Sequence, residues 1–410
     1  MGLTREEQNR LGIEVGRAFS PAAPIDEKAL FAGRTEQLRD VIDAINQRGQ
    51  HAIIFGERGV GKTSLANVLS DFLEAAGEQI LAPHVNCDGT DDFSTLWRKI
   101  FSEIEISRQV RGIGFTGETS REFATVAQDL PEEITPDIVR RTLTALGARS
   151  LLIVIIDEFD RLPNGKISRL FADSVKTLSD HSVPATLVLV GVADTVNELI
   201  QEHQSVERAL VQVRMPRMSR DELHEIVDNG VSRVEMTIEP DALEYVSLLS
   251  QGLPHYTHLL GLYAAREAID YGEKRVTSVY VEAAIQKAIT KAQQTIMSAY
   301  HRATMSPRKE NLYTQVLLAC ALAKADDLGY FAAADVRAPM SMIMRKTYDI
   351  PAFARHLNDL CEAYRGPVLQ KTGYKHRYRF RFINPLMQPF VIMQGLAARL
   401  IDRSMLKASG

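Results

Sequence analysis

The sequence predicts an α/β protein: a doubly wound parallel sheet, then an all-helical region, then a basic C-terminal domain. Three observations carry this. A Gly-rich loop joins an apolar strand to a helix within residues 51–77, and a fully apolar run at 151–156 ends in two acids. Strands also alternate with helices as far as about residue 218. That alternation builds a parallel sheet covered on both faces, with its ligand at the carboxyl ends of the strands.

In chain order, residues 1–30 are a helical lead followed by SPAAPIDEKAL, a Pro- and Ala-rich linker laid over the next domain. FAGRTEQLRDVIDAINQRG is a helix running into the strand HAIIFG. After the Gly-rich loop, TSLANVLSDFLEAAG is a helix that stops on Gly77. QILAPHVNC is a second strand, and DDFSTLWRKIFSEIE a second helix with Asp91 or Asp92 as N-cap. Residues 106–136 are Gly- and Thr-rich with little periodicity and are expected to be an insertion. The helix TPDIVRRTLTALGARS precedes LLIVII, a strand buried on both faces. A helix, the strand ATLVLVGVA, another helix and the strand ALVQVRMP complete the sheet. Residues 219 to about 300 are wholly helical, and 310–395 give three helices and a basic hairpin. The expected domains are therefore 1–30, 31–218, 219–300 and 301–410.

At 410 residues the chain exceeds one ordinary core. Its 45% hydrophobic and 24% charged residues are those of a soluble globular protein. No run approaches the ~20 apolar residues of a membrane span, and MGLTREEQNRLGIEVGRAF lacks the apolar centre of a signal peptide. Cys87, Cys320 and Cys361 lie far apart with no metal-ligand spacing, so they read as buried residues in a reducing compartment. The expected location is the cytoplasm. Residues 301–410 hold 17 Lys and Arg against 8 Asp and Glu, a balance of +9, leaving 31 against 44, or −13, for the rest. A basic tail domain on an acidic body suits a polyanion partner, the alternative being that tail domains simply vary in charge.

GERGVGKTS, residues 56–64, fits G-x-x-x-x-G-K-[ST] between a strand and a helix. Gly56, Gly59 and Gly61 let the backbone curl so that its N–H groups face phosphate oxygens. The helix that follows adds the positive end of its dipole. The candidate nucleotide-binding residues are thus Gly56, Glu57, Arg58, Gly59, Val60, Gly61, Lys62, Thr63 and Ser64. Lys62 would neutralise the β- and γ-phosphates of ATP, and the Thr63 hydroxyl would ligate Mg²⁺. Downstream, LLIVIIDEFD ends a buried strand in acids, which costs several kcal/mol unless they are paired. A metal supplies the partner: Asp157 would hold Mg²⁺ and Glu158 would polarise the attacking water. Asp160 and Arg161 are expected to form a local salt bridge.

Across residues 25–300 the chain resembles AAA+ ATPases of the origin-recognition initiator type and the neighbouring STAND NTPases. FAGRTEQL resembles the segment ahead of the P-loop, which implies that Phe31 and Arg34 lie near the adenine. VGVADTVNEL resembles the sensor-1 turn, with Asp194 in place of the usual Asn. An acid there disfavours phosphate unless Mg²⁺ or an Arg intervenes. SVERALVQVRMP resembles the segment carrying the arginine finger, and Arg208 is the match. Such a finger neutralises charge on the transferring phosphoryl group, usually in a neighbouring subunit's site, which implies self-association. Its alternative is a surface Arg paired with Glu207 or Glu202. GLPHYTHLLG resembles the sensor-2 region of the helical lid, with Pro254 and with His255 where initiators have Arg. Pro254 is equally a simple helix-start proline.

NLYTQVLLACALAKA, YFAAADVRAPMSMIM and DIPAFARHLNDLCEAYRG are helices, and PVLQKTGYKHRYRFRFINP alternates aromatic residues with cations across a turn. Three helices plus a hairpin are a winged helix, which is what the initiator resemblance implies here. Period two puts Arg377, Arg379 and Arg381 on one face and Tyr378, Phe380 and Phe382 in the core. With Lys371 and Lys375 they form a stripe suited to duplex DNA phosphates, or else a solvated face or a contact with the acidic body. The leading expectation is an ATP-hydrolysing AAA+ protein whose nucleotide state controls assembly and DNA engagement. The alternatives are a STAND-type signalling or defence switch that binds a protein partner, and a transposition-type ATPase regulator that polymerises on DNA. No nuclease, protease or TIR-like chemistry is present in the sequence, so any effector is a separate chain.

Overall fold

The computed structural model describes residues 3–21, 33–75, 80–111, 119–148, 150–163, 165–200, 204–306, 311–374 and 377–409. Phe31, Gly77 and Lys375 lie outside them, as does most of the linker. The chain starts with α1 (Arg5–Ala18), whose N-cap Thr4 accepts from Glu7 N while the Glu7 carboxylate accepts from Thr4 N.

Sheet and helices then alternate: α2 (Thr35–Asn46), β1 (His51–Gly56), α3 (Lys62–Ala75), β2 (Ile80–Leu81), β3 (His84–Asn86) and α4 (Phe93–Ser102). They are followed by a hairpin of β4 (Glu105–Arg111) and β5 (Thr119–Thr125), then by α5 (Pro136–Gly147), β6 (Leu151–Asp157), α6 (Gly165–Asp180) and β7 (Ala185–Val192). Short helices α7 (Val196–Leu199) and α8 (Gln204–Glu207) lead to β8 (Leu210–Arg214). The strands run parallel in the order β2-β6-β7-β1-β8, with β3 also pairing β6.

Period-two alternation splits the sheet between two cores. Ile53, Val154 and Leu189 face α4, α5 and α6, while Ile54, Ile155 and Val190 face α2 and α3. The sheet is therefore doubly wound, as expected, and the carboxyl ends of β1, β6 and β7 converge on one rim.

One stretch differs from expectation, and another is more regular than its sequence suggests. QILAPHVNC forms two short strands because Pro83 has no N–H to give, although its carbonyl still accepts from Ile155 N at 2.9 Å. The expected insertion, in which the sequence shows little periodicity, contains a regular antiparallel β4-β5 ribbon, in register from Glu105↔Thr125 to Arg111↔Thr119. Its sequences, EISRQVR and TSREFAT, hold too few apolar residues to mark a buried face.

The helical region comprises α9 (Arg220–Ser232), α10 (Pro240–Ser250), α11 (Pro254–Asp270), α12 (Ser278–Thr290) and α13 (Gln294–Thr304), with two-residue parallel strands β9 (Thr237–Ile238) and β10 (Arg275–Val276). The expected boundary at 300 falls inside α13, which continues to Thr304. Beyond it come α14 (Tyr313–Ala321), β11 (Phe331–Ala332), α15 (Ala333–Met344), α16 (Ile350–Asp359), β12 (Leu369–Thr372), β13 (Arg379–Phe382), α17 (Met387–Ala397) and α18 (Arg403–Ser409). β11, β13 and β12 form an antiparallel sheet in that order. Phe380 and Phe382 point into the core as expected, but Tyr378 is 38% exposed. It precedes the strand, and the Lys371 ammonium sits 3.8 Å from its ring centroid.

α17 (MQPFVIMQGLA) is buried on nearly every side and packs against α10, α12, α13 and α14. It joins the helical and C-terminal regions into one core. Among the described residues no helix is long and apolar enough to cross a membrane.

Candidate nucleotide site

The loop after β1 needs its glycines. A Cβ on Gly56 would sit 2.4 Å from the Met215 carbonyl oxygen, and Gly59 and Gly61 have φ of 86° and 96°, which L side chains rarely adopt. At the start of α3, Lys62 is buried, and its ammonium donates to the carbonyls of Gly56 (3.1 Å) and Glu57 (2.7 Å). Burial pushes its pKa down to about 8, against the upward pull of Asp160, Asp157 and Glu57. The Glu57 carboxylate is also buried and accepts from Arg217 Nε at 2.7 Å. Arg217 in turn donates to Gln388 Oε1 at 2.6 Å.

At the end of β6, Asp157 is 3% exposed. Its Oδ1 accepts from Glu158 N at 2.6 Å, while Oδ2 is buried with no hydrogen-bond partner. Such an orphaned acceptor is costly unless a cation or donor meets it. Glu158 has φ 54° and ψ 35°, a left-handed conformation uncommon for a non-glycine residue.

The expected Asp160–Arg161 pair is corrected by the turn geometry. The 3₁₀ turn Phe159–Arg161 brings positions three apart together, so Arg161 Nη1 meets Glu158 Oε2 at 2.5 Å. Asp160 Oδ1 instead accepts from Val192 N at 2.7 Å, tying this turn to β7.

A cavity of about 1320 Å³ opens between these elements. Gly59, Gly61, Lys62, Thr63 and Ser64 line one side, and Asp157 and Glu158 another. Met218, Ile226, Leu259 and Tyr263 give it an apolar end beside Pro254 and His255, and Ile383 and Leu386 close it from the C-terminal region. Apolar walls with a few convergent polar groups are what a nucleotide site requires. Among the described residues no group of three or more His, Cys, Asp or Glu side chains could hold an ion by itself. The Thr63 hydroxyl and the unpartnered Asp157 oxygen are donors that fit Mg²⁺ arriving with phosphate oxygens.

The other anticipated residues are placed as follows. Arg34, 2% exposed, donates Nη2 to Val60 O (3.2 Å) and Pro216 O (2.5 Å). It braces the loop and does not line the cavity. His255 does line the cavity, and its Nδ1 shares a hydrogen bond with Pro21 O at 2.7 Å. Burial lowers its pKa. Pro254 is the first residue of α11. Arg208 is exposed just before β8 and does not line the cavity.

Asp194 has the cation that an acid at this position needs. Arg381 of β13 ion-pairs with it, and Tyr330 donates its hydroxyl to Oδ2 at 3.2 Å. Of the row Arg377, Arg379 and Arg381, the last makes the contact with the acidic body that the sequence left open. Arg377 is exposed, Arg379 pairs with Asp326 at 2.8 Å, and the Arg381 side chain is only 19% exposed, turned onto Asp194. Lys371 is exposed and donates to Asn358 Oδ1 at 2.7 Å. Arg217, Tyr330 and Leu386 were not foreseen. Their contacts with Glu57, Asp194 and Gly59 join residues more than a hundred positions apart, which leaves no local spacing to read.

A glycine cradle, a buried lysine and an acid pair at the rim of a doubly wound parallel sheet define a P-loop NTPase. Residues 19–343 match the family model described as Novel STAND NTPase 1, and the chain belongs to that family. Among solved structures, the Aeropyrum pernix ORC2 protein in its ADPNP–ADP complexes is 16% identical, with 96% of this chain and 98% of that chain covered at a TM-score of 0.50. Cdc6p from Pyrobaculum aerophilum is 14% identical, with 94% and 98% covered at 0.45. The Aeropyrum pernix ORC1 protein in complex with DNA is 16% identical, with 90% and 94% covered at 0.46. The likeness to ORC2 is one of fold. No curated protein sequence matches the chain.

Proposed function

We propose that the protein binds Mg·ATP in this cavity and hydrolyses it to ADP and phosphate, and that nucleotide state governs self-assembly and engagement of duplex DNA. The observation that carries the ATP reading is the buried, unpartnered Asp157 Oδ2 beside the glycine cradle and Lys62. Bound Mg²⁺ supplies charge neutralisation on the phosphates, and Thr63 and Asp157 would hold it. Lys62 exchanges its two carbonyl acceptors for phosphate oxygens. Glu158 leaves Arg161 and accepts the proton of the attacking water. His255 and Asp194 take the sensor roles, and Arg208, exposed and outside the lining of its own cavity, serves a neighbouring subunit's site.

ATP binding by the intact protein, compared with Lys62→Ala, tests the nucleotide reading. Binding should be lost with the lysine. Wild-type affinity in the variant would refute it.

We divide the chain into an N-terminal helix with linker (1–30), a nucleotide domain (31–218), a helical lid ending at Thr304, and a C-terminal winged helix. α14–α16 with the three-stranded β11-β13-β12 sheet support the last assignment. Lys371, Arg377 and Arg379 are the exposed cations that meet DNA phosphates. Three such contacts give a slope of log K against log salt of roughly −3, at about −0.9 each.

Family membership favours a second reading, a STAND-type switch whose C-terminal region grips a protein. Absence of salt-dependent DNA binding, with and without ATP, would favour it.

A further inference from the structure

We infer that β13 has two occupants in turn: the Asp194 carboxylate at the nucleotide rim, and the phosphate backbone of duplex DNA. The inference rests on the DNA reading above and specifies how that engagement is restrained.

Arg381 is held at Asp194 from several sides. It ion-pairs with the carboxylate, donates Nε to Gln370 Oε1 at 3.0 Å, and lies 4.6 Å from the Tyr330 ring centroid. Tyr330 donates to the same carboxylate. A guanidinium fork takes a carboxylate or a phosphate with the same planar pair of donors, so the two ligands compete for one group. The side chains of Arg381 and Asp194 are 19% and 16% exposed, so most of the guanidinium is shielded from a phosphate while the pair is closed.

The closed pair also lies beside the ATP site. Asp194 follows Gly191 and Val192, and both of these line the cavity. Leu386, on the same C-terminal segment as Arg381, sits 3.2 Å from where a Cβ on Gly59 would be. Tyr256 donates its hydroxyl to Leu386 O at 2.7 Å, and Arg217 bridges Glu57 to Gln388. A second contact set thus fastens the C-terminal region to the glycine loop itself.

Lys371, Arg377 and Arg379 are exposed in the closed form, Arg379 in a pair with Asp326 that is far more open to solvent than Arg381–Asp194, and can meet a first stretch of DNA. Full engagement requires Arg381 to leave Asp194. By linkage, the docked state weakens DNA affinity by the fraction of molecules that hold the pair closed, and bound DNA loosens the C-terminal region from the glycine loop by the same factor.

The test is fluorescence anisotropy of a labelled duplex with the full chain at fixed salt, for wild type, Asp194→Asn, Tyr330→Phe and Asp173→Asn. Asp194→Asn removes the competitor and leaves Arg381 in place. Asp173, an exposed acid on α6, controls for the change in net charge. Asp194→Asn should tighten Kd by about fivefold or more and steepen the salt slope by about one contact. Tyr330→Phe, which removes one hydrogen bond and no charge, should move Kd the same way by less, and Asp173→Asn should leave it within about twofold of wild type. Equal tightening in Asp173→Asn would reduce the effect to net charge and overturn the inference. Wild-type Kd and slope in both Asp194→Asn and Tyr330→Phe would overturn it while leaving the DNA reading intact. No DNA binding by any of the four would refute the DNA reading and the inference with it.

Discussion

Arg161 Nη1 lies 2.5 Å from Glu158 Oε2, so the carboxylate assigned to water activation is held by a cation three residues further along the same turn. Both side chains are about half exposed, which makes the pair a weak contributor to stability and an easily released restraint. Arg161→Ala should therefore raise kcat a few-fold, with ATP Kd and Tm unchanged. Steady-state turnover beside an equilibrium binding measurement checks this. A fall in kcat at constant Kd would mean that Arg161 supports the reaction.

Phe19 ends the N-terminal helix inside a slot on the helical region. Cβ atoms on Gly230 and Gly261 would come 2.4 and 2.5 Å from its ring, and the ring is 1% exposed. Phe19→Ala should cost about 3–5 kcal/mol of stability, and Gly261→Ala about 1–3 kcal/mol through overpacking. Because the two residues share one space, the double variant should lose less than the sum. Denaturant unfolding of the four proteins measures the coupling, and strict additivity would show that Phe19 does not fill the slot.

His51 and His258 are buried, and burial pushes both down from the usual 6.5 to about 4. A folded-state pKa below the unfolded value means the native protein binds fewer protons. The contributed stability is complete above pH 6.5 and drains away as pH falls toward 4. At ~1.4 kcal/mol per pKa unit, the two together should remove several kcal/mol across that window. His51 Nδ1 accepts from Leu187 N, but both ring nitrogens of His258 lack partners. His258→Leu should therefore flatten about half of the loss without weakening the fold at pH 7. Unfolding free energies at pH 6.5 and 4.5 test this, and an unchanged pH slope would contradict it.

How much was legible in the sequence follows from how local each signal is. The glycine loop, Lys62 and the Asp157–Glu158 end of LLIVII lie within short runs whose chemistry has few other uses, so the site's centre was readable. The β4-β5 ribbon was not, because EISRQVR and TSREFAT hold too few apolar residues to show period two. α17 was missed because a helix buried on every side has no amphipathic stripe. The need for a cation at Asp194 was legible from charge alone, but not its source, since Arg381 lies 187 residues away. Likewise alternation puts Arg381 on one face with Arg377 and Arg379 but leaves DNA, solvent or the acidic body open, and only the tertiary contact names Asp194.

Arg208 is exposed and does not line its own cavity, and the proposal has it act on a neighbour's site. Arg208→Ala should cut turnover by about 10³-fold while ATP affinity holds. Mixed with Glu158→Gln, it should recover part of the activity, because some interfaces then pair an intact site with an intact finger. Turnover across a series of mixing ratios, with mixed assembly verified by mass, decides it. A flat response would rule out action between subunits.

The central claim is that Glu158 turns a nucleotide-binding loop into an ATPase. Measuring ATP Kd and phosphate release for Glu158→Gln beside wild type tests it most directly, because the amide keeps the shape and removes only the proton acceptor. The account predicts a Kd within about twofold of wild type and turnover reduced by about 10²-fold or more, the scale of general-base catalysis. Phosphate release at the wild-type rate would contradict it.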